Sequence, residues 1–299
     1  MPSFTHILFP VDFSEQNIAI APQVASLAGR HGAQVTLLHV MEMPALPYPG
    51  WPAFDFQTMA NERKERLGSF LQEEFQSLAT KRVMQEGDPA SLIVDYAEKE
   101  KVDLIMMPTH GYGPFRRFLL GSVTAKVLHD ANCPVWTSAH APETPKASAA
   151  YACVLCAVDL TSKSLSLVQW ASGLASEHKA TLKLVHAIPS AVPTAGIDIE
   201  GGRFRAFSFD AARKALAKLQ QAAGSTLDTV LEAGEIAAVV REAAQEKHAD
   251  LIVVGRGVMQ ETFGLMRTSV YSIVREAPCP VISVPRVSVP FEATESYYS

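Results

Sequence analysis

Short apolar runs alternate with helix-period segments along the whole chain. "HILFPV" (6–11) is rich in strand formers, and residues 15–30 then place Ile20, Val24 and Leu27 at helical spacing behind Ser14, an available N-cap. "QVTLLHV" (34–40) predicts a second strand, residues 58–80 a long charged helix, and "RVMQEG" (82–87) a short third strand. Asp88-Pro89 reads as a cap followed by proline at the first helical position, opening a helix that carries Leu92, Ile93 and Tyr96. "DLIMMP" (103–108) is continuously hydrophobic, which predicts a strand buried on both faces. A helix over 122–130 and a last strand in "CPVWTS" (133–138) complete the series. This order calls for a parallel sheet with right-handed crossovers and helices on both faces. Ligands of such sheets sit outside the carboxyl ends of the strands, where strand order reverses.

The series is written twice. "ILFPVDFS" (7–14) is echoed by "VLCAVDLT" (154–161), "VTLLHV" (35–40) within "ATLKLVHA" (180–187), "VDLIMMP" (102–108) by "ADLIVVG" (249–255), and "ANCPVW" (131–136) by "APCPVI" (277–282). Asp12 and Asp159, His39 and His186, and Asp103 and Asp250 are each 147 apart, whereas Cys133 and Cys279 are 146 apart. One residue has therefore been lost in the second copy, between 255 and 257. Four matched segments in one order indicate a duplicated domain. The expected organisation is domain 1 over 1–140, a linker over 141–150, domain 2 over 151–286 and a loosely held tail over 287–299. The small, polar, proline-containing stretch "SAHAPETPKASAA" (138–150) marks the join.

Composition narrows the class. The chain has 299 residues, 48% of them hydrophobic and 19% charged, enough to bury a core in each copy. A formal net charge of −5 gives no general attraction to nucleic acid or anionic lipid, so any phosphate binding must come from local geometry. No stretch approaches the ~20 apolar residues of a membrane span, and the start lacks a basic region followed by an apolar run; a cytoplasmic location is expected. Cys153 and Cys156 have the spacing of a redox or zinc pair. "YACVLCAV" nevertheless reads as a strand, where residues three apart point to opposite faces, and buried structural thiols are expected.

The candidate chemistry lies in the loops after strands one, two and four. Asp12 ends strand one, where it could accept hydrogen bonds from a ligand or cap the next helix; the D-x-S pattern with Ser14 fits both readings. In "PTHGYGPFRRFLLGSV" (108–123), glycines let backbone N–H groups approach an anion. Gly121-Ser122 then opens a helix whose free N–H groups favour negative charge. Arg116, Arg117 and His110 are further candidate phosphate neighbours, and the competing reading is a glycine turn with a serine cap. His39 and His186 end the second strands at equivalent places; each lacks a partner at ligand spacing, which favours a core or cap role over a metal.

A domain with an Asp after strand one, "LLHV" at strand two, and "THG", nine residues and "GS" before "CPV" resembles the universal stress protein family, over both copies. The resemblance implies two doubly wound α/β domains, each a five-stranded, mostly parallel sheet. It implies pairing of the two within the chain as in family homodimers, with a homodimer of whole chains a further expectation. It implies binding of ATP or a related adenine nucleotide, with Mg²⁺ as a companion of the phosphates, in a stress-response role. Pro10, Val11, Asp12 and Ser14, with Val40 and Met41, would then face the adenosine. Pro108, Thr109, His110 and Gly111 would face the phosphates from one side, and Gly121, Ser122, Val123 and Thr124 from the other. The family's first motif glycine is Pro108 here, which has no N–H to offer.

The second copy departs further from the pattern. Asp159 and Ala187 match Asp12 and Val40, and Gly255 and Gly257 match Pro108 and Gly111. Arg256 stands in the shortened loop, and Arg267 and Thr268 replace Gly121 and Ser122. Arginine in place of a glycine with a special backbone conformation predicts a degenerate second site. No nucleophile elbow and no paired catalytic carboxylates are visible, so the activity expected is at most a slow ATPase. The alternative is a family member that binds no nucleotide and works through protein or other small-ligand contacts. The proline- and aromatic-rich stretch "MEMPALPYPGWPAFDF" (41–56) reads as a lid packed on its own domain or as a partner-binding loop.

Overall fold

A computed structural model describes residues 4–42, 56–110, 120–138, 150–188, 201–256 and 265–285, with the backbone alone at 56, 201–206 and 265–268. Gly111, Arg116, Arg117, Gly257, nearly all of the stretch between strand two and the next helix, the linker at 141–149 and the tail lie outside the described residues. The chain divides into two compact units, Ser3–Ala149 and Ala150–Ser299.

In the N-terminal unit the elements are β1 (His6–Pro10), α1 (Glu15–His31), β2 (Gln34–Met41), α2 (Phe56–Ser69), β3 (Thr80–Glu86), α3 (Pro89–Lys99), β4 (Leu104–Pro108), α4 (Ser122–Asp130) and β5 (Val135–Ser138). All strand pairs are parallel, in the order β3-β2-β1-β4-β5. The chain runs outward from β1 to β3 and returns to β4 on the other side of β1. Strand order therefore reverses between β1 and β4, the place where α/β sheets hold ligands. β4 is buried at every position, as its unbroken hydrophobicity requires.

The C-terminal unit repeats the plan with β6 (Cys153–Ala157), α5 (Ser164–His178), β7 (Thr181–Ile188), α6 (Gly201–Ala223), β8 (Asp228–Ala233), α7 (Ile236–Glu246), β9 (Leu251–Gly255), α8 (Leu265–Glu276) and β10 (Val281–Val284). Its parallel order is β8-β7-β6-β9-β10. One device explains part of the internal echo. Asp103, at the head of β4, accepts the Thr5 N–H at 2.8 Å, and Asp250 accepts the Ala152 N–H at 2.8 Å, so each carboxylate ties the first strand of its unit to the fourth. Cys153 and Cys156 are both free and buried; with no polar neighbour to offset it, burial alone pushes the Cys156 thiol up to about 12.

The helix caps follow the sequence at α1 and α3. Ser14 accepts from Asn17 N, Asp88 accepts from Ser91 N at 2.9 Å, and Pro89 stands in the first turn of α3. Two local expectations are corrected. The helix expected over 58–80 ends at Ser69, and β3 starts at Thr80 rather than 82. Gly68 weakens the last turn, Leu71 adopts φ 53°, and Arg82 of β3 reaches over to bond the Leu67 and Phe70 carbonyls at 3.0 and 3.1 Å. The turns that follow bury Leu71 and Phe75, which the helical pattern had absorbed. Nor is Ser122 the cap of α4: the cap position is Gly121, without a side-chain bond, and Ser122 is the first helical residue.

Candidate nucleotide site

The backbone leaving β1 is fixed before any ligand is considered. Val11 N–H donates to Leu38 O at 2.9 Å, and His39 Nδ1 donates to Val11 O at 2.8 Å. That bond places the proton on Nδ1, and Nε2 is left buried with no partner among the described residues. Burial is the main cause that holds the His39 pKa below its ordinary 6.5. The Val11 bond and Asp12 oppose that shift, while the charges of Arg63 and Arg66 reinforce it. His186 makes the same bond to Val158 O at 2.8 Å, so both histidines hold the turns that follow β1 and β6, His39 buried and His186 half-buried.

Phe13 then takes φ 63°, a conformation that costs a non-glycine residue roughly 1 kcal/mol or more. Its ring is held 4.3 Å from the His39 ring and 5.1 Å from that of Phe70, with the Arg66 guanidinium 4.5 Å above it. The turn thus presents Asp12 at the end of β1. One Asp12 oxygen, Oδ1, accepts the Ser14 N–H at 3.0 Å; Oδ2 has no partner among the described residues, and the side chain is exposed. Asp12 is therefore not the helix cap, which is Ser14.

At the other side of the switch point, Thr109 continues β4 through a bond from its N–H to Ser138 O at 3.1 Å. Gly121 N–H donates to Thr109 O at 2.8 Å, and Thr124 Oγ1 donates to Pro108 O at 3.1 Å. These bonds clamp the start of α4 against the end of β4. Gly121 has φ −62°, so no special backbone conformation is involved. A Cβ there would lie 3.3 Å from Thr109 O and 3.5 Å from His110 Cα, so glycine is required for close approach instead. The Gly121 N–H is spent on Thr109. The N–H groups of Ser122, Val123 and Thr124, in the first turn of α4, have no acceptor among the described residues. Together with the Ser122 hydroxyl they form an anion-binding pole.

These ends enclose a cavity of about 620 Å³. β1 and its loop contribute Pro10, Val11 and Asp12; β2 contributes Val40 and Met41; β4 and its loop contribute Pro108 and His110; α4 and its cap contribute Gly121 through Thr124. Two of the expected residues do not line it: Ser14 is committed to its cap, and Thr109 is buried with its hydroxyl bonded to His110 Nδ1 at 3.0 Å. The sequence reading missed Met59 and Arg63 of α2, Ile93 of α3, and Glu42, all of which line the cavity. Met59 and Arg63, four apart, share a helix face, but only the packing of α2 brings that face to the cavity.

The C-terminal unit differs at several of these points. Asp159 Oδ1 accepts three donors, Thr161 N at 3.0 Å and Thr161 Oγ1 and Ser164 Oγ at 2.8 Å. Ser164 stands where the first copy has Asn17, which bonds the backbone of Asp12 and Pro10 instead of the carboxylate. Ala187 lies near the end of β7 and Gly255 closes β9, where a Cβ would sit 3.3 Å from Leu167 Cδ2. Arg256 is buried and its N–H donates to Val284 O at 2.8 Å, as Thr109 does to Ser138. Arg267 and Thr268 fall inside α8, which starts at Leu265, so they do not immediately precede and open a helix as Gly121 and Ser122 do. Among the described residues no group of three His, Cys, Asp or Glu side chains could hold a metal ion, and no helix is long and apolar enough to cross a membrane.

A doubly wound α/β unit present twice, with a switch-point cavity in the first copy, defines the class. The model of the universal stress protein family matches residues 3–138 and 150–285, and the chain belongs to that family. Universal stress protein MJ0531 of Methanocaldococcus jannaschii is 32% identical over 138 residues, covering 44% of this chain and 80% of that protein. A universal stress protein of Methanothermobacter thermautotrophicus is 34% identical over 140 residues, 44% of this chain and 93% of that protein. The crystal structure of a universal stress protein from Archaeoglobus fulgidus covers 95% of this chain and 97% of its own, with a TM-score of 0.68 and 21% identity; this likeness concerns the fold.

Proposed function

We propose that the N-terminal unit binds ATP or a related adenine nucleotide, and that binding signals or protects rather than drives rapid turnover. The observation that carries this reading is the row of N–H groups at Ser122, Val123 and Thr124, unpaired among the described residues, at the same cavity as the Asp12 oxygen that has no partner among them. An anion pole and a carboxylate acceptor across the switch point suit a ligand with phosphates at one end and hydroxyls in the middle. Phosphates belong at the start of α4, ribose hydroxyls at Asp12, and the base toward Val40 and Met41. Mg²⁺ would enter with the phosphates, as no carboxylate cluster is set aside for it among the described residues.

Pro108 removes one N–H from the phosphate side, and its carbonyl positions Thr124 instead. The C-terminal unit is assigned a role without nucleotide, because Arg267 and Thr268 lie inside α8 and do not open a helix as Gly121 and Ser122 do. Thermal unfolding of the full chain with ATP tests the assignment. A melting temperature that rises with ATP concentration supports it. An unchanged one, with no adenine nucleotide released from the purified protein on denaturation, favours a module acting through other contacts.

A further inference from the structure

We propose that Arg63 and Met59 of α2 hold the base of the bound nucleotide, with the Arg63 guanidinium lying against the ring. The inference rests on the nucleotide assignment above and adds the residues that read the ligand's uncharged end.

Four charged side chains line the cavity: Asp12, Glu42, Arg63 and Arg66. Arg66 is committed to Phe13, over whose ring it lies and whose carbonyl it reaches at 3.5 Å. Arg63 is half-buried, yet it makes no hydrogen bond or ion pair among the described residues. A guanidinium carries five donors in a rigid plane, and one held in a cavity wall without a protein acceptor is available to a ligand.

Position decides which part of the ligand it meets. Arg63 belongs to the helix that follows β2, while the anion pole begins the helix that follows β4. β1 lies between those strands, and two strand spacings amount to about 10 Å. Phosphates seated on Ser122–Thr124 are thus at the far side of the cavity from Arg63. The strand on its side of β1 gives the cavity an apolar wall, Val40 and Met41 of β2. Met59, one turn before Arg63 on the same face, brings a thioether to that wall. A flat aromatic ring fits this set: the guanidinium packs on its face and the sulfur on its edge.

The test compares ATP, adenosine and inorganic tripolyphosphate on the full chain by calorimetry, with Arg63→Gln, Arg63→Lys and Met59→Ala. Arg63→Gln is expected to weaken ATP and adenosine by the same factor, about fivefold, and to leave tripolyphosphate unchanged. Arg63→Lys restores the charge but not the plane, so it is expected to rescue less than half of the loss. Met59→Ala is expected to act in the same direction. A loss confined to ATP and tripolyphosphate, full rescue by lysine, or no effect of Arg63→Gln in a chain that binds ATP overturns this inference alone. A wild-type chain that binds neither ATP nor adenosine overturns the nucleotide assignment and this inference with it.

Discussion

Gly121 donates its backbone N–H to the Thr109 carbonyl at 2.8 Å, and a Cβ on Gly121 would press on that same oxygen at 3.3 Å. The two residues join the end of β4 to the start of α4, and the join aims the next three N–H groups into the cavity. Gly121→Val is expected to abolish ATP binding and to cost about 1–3 kcal/mol of stability through overpacking, read by calorimetry and by denaturant unfolding respectively. Binding that survives intact in Gly121→Val would show that the start of α4 is not the anion pole.

The two equivalent aspartates are expected to behave in opposite ways. Asp12→Asn keeps the Oδ1 bond to Ser14 but replaces the uncommitted oxygen with a donor, so it should weaken ATP about tenfold and leave unfolding nearly unchanged. Asp159→Asn should leave ATP binding unchanged. It should lower stability by about 1 kcal/mol, because the three donors on its Oδ1 lose a charged acceptor. Titrations and melts of both variants decide this together.

His39 supplies a pH dependence. Its folded-state pKa lies below 6.5, so the unfolded chain takes up the proton first on acidification. Its contribution to stability is complete above about pH 6.5 and is lost as the pH falls toward the lower folded value. The melting temperature should therefore drop between about pH 7 and pH 5, and His39→Asn, which retains a donor for Val11, should flatten that part of the curve. An identical slope in the variant would assign the titration elsewhere.

At the end of α1, Gly32 takes φ 63°; at the end of α5, Lys179 takes φ 55° in the corresponding place. Lys179→Gly is expected to stabilise the chain by about 1 kcal/mol, since a side chain in this conformation is strained and glycine is not. Chemical denaturation reads the gain, and a loss would mean that the lysine's contacts outweigh its backbone strain.

Burial gives a chemical prediction for the central strand of the C-terminal sheet. Cys156 is fully buried with its thiol pushed up to about 12, so it should resist alkylation at neutral pH in the native chain and react on unfolding. Mass spectrometry after a brief iodoacetamide pulse reads the difference.

The strand series, the duplication and the cavity edge could be read from the sequence because each rests on local periodicity or on a repeated motif. Ser14, Asp88 and Pro89 marked helix starts by chemistry that acts within a few residues. What escaped was non-local. The end of α2 is set by Arg82 arriving from β3, fifteen residues beyond Leu67, and nothing in the pattern of 58–80 announces that bond. The glycine at 121 was legible as a requirement but not its cause, which is the approach of Thr109 rather than an unusual φ. Arg63 and Met59 join the cavity only because α2 folds back over the end of β2. The replacement of Gly121 and Ser122 by Arg267 and Thr268 was legible, whereas the third donor on Asp159 Oδ1 comes from Ser164, a single substitution at the Asn17 position.

Calorimetric titration of the full chain with ATP, beside the Gly121→Val variant, tests the central claim most directly. A saturable heat corresponding to about one nucleotide per chain, absent in the variant, is the result expected. No heat up to millimolar ATP, or equal binding by both proteins, would contradict it.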